Sequence, residues 1–171
     1  MKTLIKNGLL IDPANQVQAY LNLILEDGKV VAVTEEEPEA DRVIDATGKV
    51  VAPGFIDIHM HEDPVKDGKI EFCIFDAMLR MGVTTAVGGN CGINVYDPVK
   101  YLDMVEKDGA PVNVMLFAGH QYFREAAGAL DKYAPVTKEQ QEHMKKGLEK
   151  ALEAGCVGIS YGLRYVPGTG R

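Results

Sequence analysis

The sequence reads as an α/β protein, the first half of a (β/α)8 TIM-type barrel with β-structure ahead of it. From about residue 51 onward, segments of strand and helix character alternate, as parallel sheets with outer helices require. Polar residues stand at successive strand ends: His59 and His61, then Asn90 and Cys91, then His120, then Ser160. In a barrel those ends converge on one site. No glycine-rich phosphate fingerprint follows the first of these strands, which weakens a doubly wound alternative. A full barrel needs eight units and about 250 residues. Only four strands are legible before the closing "YVPGTGR", so the expectation is an incomplete barrel.

Residues 1 to about 50 read as β-structure. "TLIKNGLLID" and "LNLILEDGKVVAVTE" are short, apolar and β-branched, and "EDGK" is a hairpin turn in which Gly28 takes the positive φ. "RVIDATGKVVAPG" repeats the pattern, and "TEEEPEAD" is a polar surface loop. The expected boundary separates residues 1–52 from 53–171. The barrel strands are expected near residues 51–59, 83–88, 112–118 and 156–161. Between them, "IEFCIFDAMLRMG" has helical apolar spacing and a Gly82 stop. "DPVKYLDMVEKDG" is a helix with Asp97 as N-cap, Pro98 in the first position and Gly109 at the end. In "TKEQQEHMKKGLEKALEAG", Thr137 and Gln140 form a capping box.

Composition narrows the class. The 171 residues are 46% hydrophobic and 25% charged, with a formal net charge of −7. No basic patch stands out, which argues against nucleic acid as a partner. No apolar run is long enough for a membrane span, and the N-terminus lacks the pattern of a signal peptide. The expected location is cytoplasmic. The cysteines Cys73, Cys91 and Cys156 are odd in number and widely spaced, which suits reduced thiols.

Alternation along a strand would turn Asp57, His59 and His61 to one side, the two imidazoles about 6 to 7 Å apart. Such a pair suits a borderline metal such as Zn²⁺, and Asp57 could orient one imidazole as an outer acceptor. The competing reading has both histidines capping a strand at the surface; their position after a buried strand favours the metal. Cys91 lies in "VGGNCG", at the same barrel end, and could bind or bridge metal ions beside Asn90. As a lone cysteine it could also be a small buried hydrophobe, which is the reading for Cys73 and Cys156. His120 stands equally for a site role or a loop hydrogen bond, and His143 reads as solvated. Ser160, Arg164 and Tyr165 could each meet a substrate, and the sequence does not rank them.

The segments "PGFIDIHMHED", "GVTTAVGGNCG", "AGH" followed by "FRE", and "AGCVGISYGLRYVPG" resemble the N-acyl-D-amino-acid deacylases (D-aminoacylases) of the amidohydrolase superfamily, over their N-terminal part only. The resemblance implies one or two Zn²⁺ ions, with His59 and His61 as ligands and Cys91 as ligand or bridge. It implies hydrolysis of the amide bond of a small N-acyl-D-amino acid. It also implies further histidines and a general-base aspartate from strands beyond Arg171, so that no catalytic residue is expected within this chain. The leading strands match part of the family's small β-sandwich. His120, Arg164 and Tyr165 are kept as substrate-binding candidates, and Asp57 and Asn90 as supports of the ligands. A dihydroorotase- or hydantoinase-like cyclic amidase is the neighbouring reading; Cys91 speaks against it, because those enzymes usually bridge their metals through a lysine. A third reading is a non-catalytic module that binds metal weakly or self-associates through open sheet edges, for want of the C-terminal half of the barrel.

Overall fold

Turn chemistry and strand patterning build the first of two units, Met1–Pro53, in a computed structural model that describes residues 1–131 and 133–162. Its strands are β1 (Lys2–Lys6), β2 (Leu9–Asp12), β3 (Val17–Tyr20), β4 (Asn22–Glu26), β5 (Lys29–Thr34), β6 (Arg42–Asp45) and β7 (Val50–Val51). One sheet has the order β5-β4-β1-β6 and the other β3-β2-β7. The β4–β5 hairpin turns through Asp27 and Gly28, both at positive φ, which matches the right-handed twist of the strands. Leu4 and Ile24 face each other across β1 and β4, and both are buried, as is Leu10 of the second sheet. This is part of a small β-sandwich.

The second unit begins at Gly54. Its sheet has the order β13-β12-β11-β8, with β8 (Phe55–Asp57), β11 (Val83–Gly88), β12 (Asn113–Gly119) and β13 (Gly158–Ser160), all parallel. A small hairpin, β9 (Val65–Lys66) and β10 (Lys69–Ile70), follows β8. The helices are α1 (Ile74–Arg80), α2 (Pro98–Asp108), α3 (His120–Ala126) and α4 (Lys138–Glu153). Ala86, Leu116 and Ala118 point to one face of the sheet and are fully buried there with Phe75 of α1, Tyr101 of α2, Phe123 of α3 and Ala151 of α4. All four helices thus cover the same face. Sequential parallel strands with helices on one side form the first half of a (β/α)8 barrel.

Local signals explain the helix ends. The Asp97 carboxylate accepts the Val99 and Lys100 amides at the start of α2, with Pro98 in the first turn. Thr137 and Gln140 form the expected capping box on α4. Three expectations change. The strand expected over 51–59 is two strands in two sheets, with the break at Pro53, which has no N–H for a ladder. The last strand is shorter than expected. His120 opens α3 instead of closing β12, which ends at Gly119.

Candidate metal centre

Past β8 the chain leaves the ladder, so His59 and His61 lie on a loop and not on a strand. The Asp57 side chain accepts the His59 backbone N–H at 3.0 Å, a local turn that fixes where the first imidazole starts. Met60, between the histidines, is buried and anchors the loop, while both imidazoles are exposed. Their ring centroids are 6.5 Å apart and nearly perpendicular.

Past β11 the chain turns through Asn90–Gly92, with Gly89 at φ 70°, Cys91 at φ 59° and Gly92 at φ 79°. A Cβ on Gly89 would stand 2.0 Å from the Phe117 carbonyl oxygen, so only glycine fits this close passage. The turn brings the Cys91 sulfur to 3.4 Å from Nε2 of His59. Asn90 is buried, and its Nδ2 donates to the Val87 carbonyl at 2.7 Å and to those of Ile58 and Met60 at 3.3 and 3.4 Å. Those last two carbonyls flank His59, so Asn90 ties the histidine loop to the cysteine turn.

The donor chemistry fits zinc. Two ligands of one tetrahedral zinc, at about 2.0–2.1 Å for nitrogen and about 2.3 Å for sulfur, lie about 3.5 Å from each other. The His59–Cys91 separation matches this. The His61 ring centroid lies 6.5 Å from that of His59. Among the described residues no group of three or more His, Cys, Asp or Glu side chains is gathered to hold a metal ion.

The other expected residues divide. His120 is half-buried at the start of α3, with its ring centroid 5.3 Å from that of Tyr161, and it borders an apolar cavity with Phe123, Met144 and Ile159. Arg164 and Tyr165 lie outside the described residues. Cys156 is buried, as expected, and burial with the nearby Glu62 charge pushes its thiol up to about 11. Cys73, expected to be buried, is exposed before α1 and donates to Asp63.

Three supports were not foreseen. Asp63 is fully buried and accepts the backbone amides of Cys73, Ile74 and Phe75, so it caps α1 from ten residues upstream. Glu62 is 3% exposed; its Oε1 accepts from Asn94 at 2.8 Å, and Oε2 has no partner among the described residues. Asn94 in turn donates to the Phe117 carbonyl and accepts the Gly119 N–H. The only sequence signal was the acidic pair directly after the second histidine.

A family model described as "Amidohydrolase family" matches residues 42–163. The chain belongs to the amidohydrolase family. It is 32% identical over 187 residues to N-acyl-D-glutamate deacylase of Alcaligenes xylosoxydans xylosoxydans, covering 96% of this chain and 38% of that protein. It is 42% identical over 88 residues to dihydroorotase of Elusimicrobium minutum, covering 50% of this chain and 20% of that protein. The crystal structure of N-acyl-D-glutamate deacylase from Bordetella bronchiseptica, complexed with zinc and a phosphonate mimic of the tetrahedral intermediate, superposes with TM-score 0.83 at 32% identity. That match covers 97% of this chain and 39% of the deacylase. The likeness to N-acyl-D-amino-acid deacylases therefore extends over nearly all of this chain, which spans well under half the length of these relatives. Among the described residues, no helix is long and apolar enough to cross a membrane.

Proposed function

We propose that this chain carries the first metal-binding half of a zinc-dependent amidohydrolase that cleaves the amide bond of N-acyl-D-amino acids. The observation that supports this most strongly is the 3.4 Å approach of Cys91 to His59 at adjoining strand ends. His59 and Cys91 would hold a zinc ion together, with His61 as the further ligand and Asp57 and Asn90 fixing the two loops. Zinc, when bound, supplies Lewis-acid polarisation of the amide carbonyl and acidifies water.

The chain's own residues then do three things. Asn90 and Asp57 hold the two loops that carry His59 and Cys91. The exposed imidazoles leave the strand ends open to a small substrate. His120, at the start of α3, lines the apolar cavity with Phe123, Met144 and Ile159, and it is proposed, with Arg164 and Tyr165, as a substrate contact. The general base is assigned to an aspartate beyond Arg171. It takes a proton from water as the oxygen attacks the acyl carbon, and returns it to nitrogen as the C–N bond breaks. The products are a carboxylate and a free D-amino acid.

The dihydroorotase match sustains a second reading, cyclic amide hydrolysis. Cys91 favours the first. The test is turnover by the full-length gene product, loaded with zinc, on N-acyl-D-glutamate, other N-acyl-D-amino acids, their L-enantiomers and dihydroorotate. Hydrolysis restricted to N-acyl-D-amino acids is expected. Turnover of dihydroorotate alone would replace this reading with the second.

A further inference from the structure

We infer that Ser160, at the end of β13, is the positioning residue that holds Cys91 in its ligating conformation. The inference rests on the reading of Cys91 as a zinc ligand. The turn that carries Cys91 has left-handed backbone at Gly89, Cys91 and Gly92. Left-handed φ is easy for glycine but unfavourable for cysteine. Something outside the turn must therefore hold it.

Ser160 does this from both ends. Its hydroxyl donates to the Gly89 carbonyl, and its oxygen accepts the Gly92 N–H at 2.9 Å. One side chain thus bridges the residue two before Cys91 and the residue one after it. It reaches across from a strand separated from β11 by β12. The approach is close, because a Cβ on Gly92 would stand 2.8 Å from the Gly162 nitrogen. Both functions of the hydroxyl are used on the turn. Ser160 is thereby assigned to the metal centre as a support, and not to the substrate. Asn90 locks the His59 side of the pair in the same manner, through the carbonyls of Ile58 and Met60.

The experiment uses the full-length gene product with Co²⁺ in place of zinc. The near-ultraviolet thiolate-to-cobalt charge-transfer band reports the Cys91–metal bond, and competition with a chelator reports affinity. Ser160→Ala is expected to weaken cobalt affinity about 10- to 100-fold, the usual effect of losing an outer support of a ligand, and to diminish the band. Ser160→Thr, which keeps the hydroxyl, is expected to retain both. An unchanged band and affinity in Ser160→Ala overturns the inference, whatever happens to its thermal midpoint. If Ser160→Ala does not fold, Ser160→Thr decides: a folded protein with the band lost also overturns it. Wild-type protein that binds cobalt with no charge-transfer band defeats the parent reading of Cys91, and this inference with it.

Discussion

Cys91 and Cys156 are the same residue type in different surroundings. Cys91 is half-buried on a tight turn beside an imidazole; Cys156 is 6% exposed at the foot of β13. Burial and the Glu62 charge disfavour the Cys156 thiolate, which raises its pKa from 9.0 to about 11. The folded state therefore holds a proton there that the unfolded chain releases. Its contribution to stability is fully present below about pH 9 and is lost as pH rises toward about 11. We expect urea midpoints to fall over that window and to fall less in Cys156→Ser. Equal slopes in the two proteins would remove Cys156 as the source.

At the scale of elements, α1 depends on a residue far from it in sequence. Asp63 accepts three amides at the helix start, where the local residue Cys73 offers no side-chain cap. Asp63→Ala would leave the buried Phe75 amide unpaired and remove the cap from the Cys73 and Ile74 amides, with an expected loss of about 1 to 2 kcal/mol in chemical denaturation. A loss within experimental scatter of zero would show that water replaces the carboxylate. This dependence marks where the sequence was readable. The caps of α2 and α4 could be read because donor and acceptor are two or three residues apart. The alternation of strands and helices was legible for the same reason, since periodicity is local. Asp63, Glu62, Asn94 and Ser160 were opaque as supports because their partners are set by the crossing of distant loops. His59, His61 and Cys91 stood out through residue type and strand-end position. The close approach of His59 to Cys91 depends on the loop that begins where β8 leaves the ladder after Asp57. Helix α3 was missed because "GHQYFRE" follows a strand without a cap residue.

For the molecule as a whole, the half-barrel sheet ends in β8 and β13, each paired on one side only among the described residues. Phe55, Ile56 and Ile58 near the first edge are 67%, 64% and 70% exposed. Strands with open ladders and bare apolar side chains recruit other strands. The 171-residue chain by itself is expected to self-associate in sedimentation and to show no hydrolysis of N-acyl-D-amino acids with added zinc. A monomer that turns over substrate at this length would refute both expectations.

The central claim is that one metal ion is shared by His59 and Cys91. X-ray absorption at the zinc edge of the full-length gene product tests it most directly. A sulfur scatterer at about 2.3 Å beside nitrogen or oxygen at about 2.0–2.1 Å, with the sulfur lost in Cys91→Ala, is the result expected. Zinc bound with nitrogen and oxygen neighbours alone in the unaltered protein would contradict it.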